Sequence, residues 1–353
     1  MSLTQLINSN KEVRDFFNNI KAKKKEFHTE SGKEAFSKEY EEKVPYNLDN
    51  RFYSILIGTA FDFIARFEIA RAIEINKDAL YESLINKAGV YTDISAYYSL
   101  ASAIVRNINS KSDKEYIEDY ELYVKKFEVE NRNCMNYIKK YINNETDDID
   151  KIIDISIYFA KILNTNNSYI STLVLELDEP FDYFINHKES IFSELKKLLL
   201  VFRKEFMVNK VKKDSVVIFS PEFGFASEIV SGAEADIYID GTLYDFKTTK
   251  KYTYKGEDVN QIIGYYLLNK LTQKYIYISE CKLDYTRHSQ LLYNVINSIA
   301  FYKARFGEVE YLDTTYFNRF DESKLIEMFE ELLKNSCSRY KYVMNKYKDN
   351  YYF

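Results

Sequence analysis

The pattern of apolar and polar positions changes character once along the chain, near residue 213. Before that point apolar residues recur at steps of three and four, the spacing that places them on one face of a helix. Residues 4–43 read as polar helix carrying the cluster Lys21, Lys23, Lys24 and Lys25, and Pro45 with the following Asn-Leu-Asp-Asn makes a break. Residues 51–75 show a strongly apolar helical pattern through Phe52, Ile55, Leu56, Phe63, Ile64 and Phe67. The spacing then predicts helices over 91–108, 114–143, 148–163 and 186–207, separated by Asn, Asp and Ser clusters.

After residue 213 the period shortens to two in places, as in half-buried strands. Val216–Phe219 is a short apolar run, and strands are predicted over 225–231, 234–240, 243–249 and 275–279. Helices are predicted over 258–271, 286–305 and 321–348. Strands interleaved with helices after a purely helical stretch predict an α/β core with a large helical region attached. The expected layout is an N-terminal helical arm (1–50), a first core helix (51–75), a helical insertion (78–207), the α/β core (210–310) and a C-terminal helix (318–353).

Composition narrows the class. With 46% apolar and 29% charged residues, the 353-residue chain can bury a sizeable core, which excludes disorder over most of its length. Nine glycines and three prolines are few, favouring long helices over a sandwich or propeller. No run approaches the roughly 20 apolar residues of a membrane span, and Met1–Arg14 lacks a basic segment followed by an apolar one, so a cytoplasmic protein without a membrane partner is expected. Cys134, Cys281 and Cys337 are scattered and odd in number, which argues against a disulfide framework. The net charge of −5 does not by itself indicate a nucleic-acid partner.

The most informative segment runs from Glu234 to Lys247. Asp240-Gly241 between two alternating runs is a strong hairpin signal of type I′. With those two residues as the loop, Ile239 pairs with Thr242, which sets Asp236 opposite Asp245 and Glu234 opposite Lys247. Directly paired side chains share a face, so two carboxylates oppose each other there at a cost in stability. A divalent cation between them reverses the sign of that interaction, and hard carboxylate oxygens suit Mg²⁺ or Mn²⁺. Lys247 on the same face can orient or deprotonate an attacking water, or offset charge on a phosphoryl oxygen. The competing explanation is an exposed edge hairpin with a cross-strand ion pair. Gln261 and Tyr265 follow at a helical spacing of four, with Gly264 allowing their helix to approach the hairpin.

These residues resemble the PD-(D/E)XK nuclease superfamily, in particular its RecB-like exonuclease branch. The second-motif aspartate of that family falls on Asp236, its Asp-x-Lys motif on Asp245, Phe246 and Lys247, and its trailing Gln-x-x-x-Tyr motif on Gln261 and Tyr265. The resemblance covers about residues 215–300. The branch also carries a Gly-x-x-x-His motif on an early helix; here Gly58-Thr-Ala-Phe-Asp62, followed by Arg66, departs from it with an aspartate. Glu222 and Glu228 compete with Asp62 for that role.

The resemblance implies a restriction-endonuclease-like mixed sheet flanked by helices, and metal-dependent hydrolysis of DNA phosphodiester bonds. It implies Mg²⁺ or Mn²⁺ held by Asp236, Asp245, the Phe246 carbonyl and Asp62, with Lys247, Gln261 and Tyr265 at the reacting phosphate. Lys250, Lys251 and Lys255 would meet the nucleic-acid backbone, and His288 could touch substrate, whereas His28 and His187 read as surface residues. The iron–sulfur cluster of some members is not expected, since three scattered cysteines cannot build one. Two other readings remain open: a non-catalytic nucleic-acid-binding module on the same core, and a helical scaffold that binds a protein partner.

Overall fold

The computed structural model describes residues 2–46, 51–74, 113–164, 181–279, 291 and 294–349. In chain order they form α1 (Leu3–Ser9), α2 (Lys11–Ile20), β1 (His28–Thr29), α3 (Arg51–Ala72), α4 (Asp113–Ile142), α5 (Ile149–Asn164), α6 (Asp182–Ile185) and α7 (Glu189–Val201). A π turn at Phe202–Met207 and a last turn at Val208–Lys210 prolong α7. Then come β2 (Val217–Phe219), α8 (Gly224–Ile229), β3 (Ile237–Ile239), β4 (Thr242–Lys247), α9 (Gly256–Ser279), β5 (Ser298–Lys303), β6 (Glu308–Asp313), α10 (Glu322–Ser336) and α11 (Tyr340–Asp349).

The fold is mixed α and β. A six-stranded sheet has the order β1-β6-β5-β4-β3-β2, in which β4 and β5 run parallel and the other neighbours antiparallel. Helices cover both faces, and the alternation of side chains along β3, β4 and β5 divides the core accordingly. Ile237, Ile239, Tyr244, Phe246, Ala300 and Tyr302 pack on the side of α3, α5 and α7. Leu243, Tyr238, Ile299 and Phe301 pack on the side of α1, α2, α8, α9 and α10. Among the described residues no helix is long and apolar enough to cross a membrane.

Several expectations hold: helices at 51–72, 113–142, 149–164 and 189–210, and strands at 217–219, 237–239 and 242–247. Others are corrected. Residues 225–231 form most of helix α8 and the turn after it rather than a strand, because Phe225, Ala226 and Ile229 turn to the core while Glu228 points to Lys346 and Tyr347. The alternating run 275–279 is not a strand but the continuation of α9, fixed there by Tyr275 and Lys274 on Glu330 of α10. The helix expected over 286–305 contains, in its described part, the strand β5 instead; apolar on both faces, a central strand has no polar period to distinguish it from buried helix. The helix over 4–43 stops at Ile20, and the chain beyond it adds β1 to the sheet edge. The helix over 321–348 is two helices, α10 and α11. The helix expected over 91–108, together with Cys281 and His288, lies outside the described residues.

Candidate active site

The β3–β4 turn has the geometry that its sequence requires. Asp240 at φ 46° and Gly241 at φ 93° are both left-handed, the condition for a type I′ turn. Ile239 pairs with Thr242, Tyr238 with Leu243 and Ile237 with Tyr244, the expected register as far as it runs, whereas the expected Asp236–Asp245 and Glu234–Lys247 pairs are not part of the ladder and Glu234 bridges to Glu222. The ladder ends at Ile237, so the Phe246 N–H donates to the Asp236 carboxylate, at 2.6 Å, instead of to a backbone carbonyl. Asp236 thereby reaches the C-terminal end of β4, where Asp245 and Lys247 lie.

Packing behind the strand holds those two side chains in place. Phe246 and Tyr244 point into an aromatic cluster with Phe202, Phe206 and Tyr302, with ring centroids 4.8–6.5 Å apart. The alternation along β4 then turns Asp245 and Lys247 to the opposite face, toward α9. Asp245 is buried, and its Oδ2 lies 2.6 Å from Lys247 Nζ. Asp258, in the first turn of α9, presents a second carboxylate to Lys247 at 3.9 Å.

Two further elements converge. A Cβ built on Gly58 of α3 would stand 3.4 Å from Thr248 Oγ1, so α3 crosses just beyond Lys247. One turn later on α3, Asp62 is close enough to feel the charges of Asp236 and Asp245, with Arg66 and Lys247 as the opposing cations. From α9, Gln261 Nε2 donates to Tyr265 Oη at 2.9 Å, and the Tyr265 ring stacks on Phe223 at 5.3 Å. Gly264 does not serve the hairpin as expected: it lets α1 approach, since a Cβ there would come within 2.7 Å of Leu3 Cδ2.

The electrostatics follow from burial in an acidic cluster. Burial, and after it the repulsion of Asp236 and Asp245, holds Asp62 well above its ordinary value. Burial likewise raises Asp236, against the Phe246 N–H, Arg66 and Lys247. Burial pushes Asp245 up to about 6, Lys247 opposing and Asp236 adding to the rise. For Lys247 burial works against the ammonium, but Asp245, Asp258 and Asp236 together outweigh it and hold the lysine protonated. Burial, then Asp245 and Asp236, raise the Tyr265 hydroxyl.

Lys250, Lys251 and Lys255 are exposed on the loop after β4, with Lys250 Nζ 4.8 Å over the Tyr46 ring. Glu228 bonds Lys346 and Tyr347, and Glu222 bridges to Glu234 beside Asp236. His28 is exposed on β1, and His187 pairs with Asp154 at 3.1 Å. Asp258 was not singled out from sequence, although it precedes Gln261 by one helical step of three.

The donor set fits a hard divalent ion: Asp62, Asp236 and Asp245 are carboxylates whose charged forms suffer from burial and from one another. The Asp236 and Asp245 carboxylates are turned to protein partners, and among the described residues no three His, Cys, Asp or Glu side chains form a ready-made cage. Comparisons of the chain with protein-family models, with curated proteins and with solved structures find no match.

Proposed function

We propose that the chain is a metal-dependent nuclease hydrolysing DNA phosphodiester bonds, on a restriction-endonuclease-like core of the RecB-like exonuclease type. The observation that carries this reading is the junction of Asp236, Asp245 and Lys247 at the end of one hairpin, with Asp62, Gln261 and Tyr265 brought to it from two separate helices. Asp236, Asp245, the Phe246 carbonyl and Asp62 would hold Mg²⁺ or Mn²⁺, which when bound supplies Lewis-acid activation of water and phosphate.

The remaining chemistry belongs to the protein. Lys247, with Asp245 at 2.6 Å and Asp258 at 3.9 Å, would act as a donor and positive charge toward the phosphoryl oxygens or the attacking water. The Gln261–Tyr265 pair braces the helix side of the site: with its amide N–H donated to Tyr265, the Gln261 carbonyl oxygen is left to orient Lys247 or a water. Tyr265, kept neutral, can donate to a phosphate oxygen.

Purified protein with Mg²⁺ or Mn²⁺ should degrade end-labelled DNA, and Lys247→Ala or Asp245→Ala should abolish it. Wild-type and variant proteins that behave alike on linear, nicked and single-stranded DNA defeat the proposal. One observation favours a second reading, a non-catalytic nucleic-acid-binding module: both hairpin carboxylates already have protein partners, the Phe246 N–H and Lys247. DNA binding without cleavage in any divalent metal selects that reading.

A further inference from the structure

The lysine cluster at residues 21–25 has no part in the chemistry above, yet the fold brings it to the mouth of the site. Tyr254 Oη, on the loop after β4, donates to the Ala22 carbonyl at 2.7 Å. The Tyr254 ring stands edge-on to Phe36 at 5.2 Å and to Phe27 at 6.5 Å, so the chain after α2 is held against the loop at Tyr254. A Cβ built on Gly256, two residues before Asp258, would lie 3.4 Å from Lys21 Nζ. Two lysine-rich stretches distant in sequence thus run side by side next to the carboxylates.

Most of these lysines stand outside the ion pairs of the fold. Lys23, Lys25, Lys250, Lys251 and Lys255 are exposed, and Lys21 donates to the neutral Asn18 side chain, at 2.8 Å. Of the nearby acids, Glu34 is paired with Lys24 at 2.8 Å, Glu26 is paired with Arg319 at 2.7 Å and also feels the charge of Lys25, Asp258 faces Lys247, and Glu257 beside Gly256 is exposed. Among the described residues no ion pair joins the other six lysines to a carboxylate. In a chain of net charge −5 such a strip is a local exception.

We infer that Lys21, Lys23 and Lys25 continue the Lys250–Lys255 loop as one phosphate-binding track, which carries the nucleic-acid backbone away from the carboxylate site along the N-terminal segment. The inference rests on the nuclease reading for the partner's identity, and its test is independent of cleavage. Each lysine–phosphate contact contributes about 0.7 to the slope of log K against log salt on single strands and about 0.9 on duplex. Anisotropy titrations of fluorescein-labelled 30-nucleotide single-stranded and duplex DNA, in EDTA across a salt series, give that slope.

The triple variant K21Q/K23Q/K25Q should flatten it by about 2 on single strands and nearly 3 on duplex. The charge-matched K197Q/K204Q/K324Q, at exposed lysines elsewhere, should leave it unchanged. An unaltered slope in the first variant, an equal loss in the second, or no DNA binding by wild type overturns the inference. A flattened slope in the first variant alone, in a protein that never cleaves, upholds the track and removes the nuclease reading instead.

Discussion

The opposed carboxylates make a prediction about folding that needs no substrate. Asp245 titrates near 6 in the folded chain, against an ordinary value near 3.8, chiefly because it is buried. A carboxyl whose folded value is raised binds more protons in the folded than in the unfolded state between those two values. Its stabilising contribution is therefore complete below about pH 4 and is lost as pH rises through about 6. A rise of roughly two units, at about 1.36 kcal/mol each, amounts to about 3 kcal/mol between pH 4 and pH 7.5. Asp245→Asn removes the titration while keeping the shape. The absolute stability difference between wild type and variant also contains the lost ion pair with Lys247, so the informative quantity is how that difference changes with pH. In EDTA, urea unfolding should show wild type losing about 3 kcal/mol relative to the variant over this range. Millimolar Mg²⁺ or Mn²⁺ should restore most of the loss in wild type and none in the variant. A difference independent of pH, or one in which wild type gains as pH rises, refutes the claim that this carboxylate is held against its own burial.

Other perturbations probe what positions the site. Phe206→Ala removes a fully buried ring that touches Tyr244, Phe246 and Tyr302, and should cost about 3–5 kcal/mol in urea unfolding; an effect below 1 kcal/mol shows that the hairpin is not held from behind. Arg203→Met strands buried Glu68, which Arg203 grips at 2.6 and 2.9 Å, and should destabilise by about 3–5 kcal/mol, with Glu68→Gln in the same chain recovering part of it. Gly264→Ala sets a Cβ against Leu3 Cδ2, whose displacement should outweigh the helix-propensity gain of about 1 kcal/mol and leave a net cost of about 1 kcal/mol, and trimming Leu3 to Ala alongside it should show a favourable coupling. Additive losses in that cycle would mean that the close approach is not the cause.

The hairpin was legible because its determinants are local. Asp240 and Gly241 set the turn, the turn sets the register, and the register delivers Asp236 to the end of β4. The long helices were legible for the same reason, their period lying within one element. β5 and β6 were not. The apolar run of β5 is covered on both faces, and β6 carries the buried Glu310, matched by Lys303 at 3.4 Å and by the Tyr40 hydroxyl at 2.8 Å, partners that only the sheet brings together. The run 275–279 was misread because its alternation is real but subordinate: a helix already 19 residues long carries through it at little further cost.

The candidate site divides along the same line. Its β4 residues follow from two-residue periodicity, whereas α3 and α9 reach it through packing that no local pattern encodes: Gly58 against Thr248 for one, Tyr265 on Phe223 for the other. That arrangement has a mechanical consequence. The acidic residues come from three elements held by separate contacts, so their mutual repulsion acts on helix positions as well as on side chains. Asp62 is raised by burial and by the charges of Asp236 and Asp245, and it sits on the helix whose aromatic face, through Phe61, also supports Phe246 and Tyr302. Asp62→Asn relieves that conflict without touching the apolar contacts, and it should raise the apo melting temperature while weakening stabilisation by Mg²⁺. If instead the variant melts lower in EDTA and gains as much from the metal as wild type, Asp62 is a structural polar residue of α3 and the third carboxylate must be sought elsewhere.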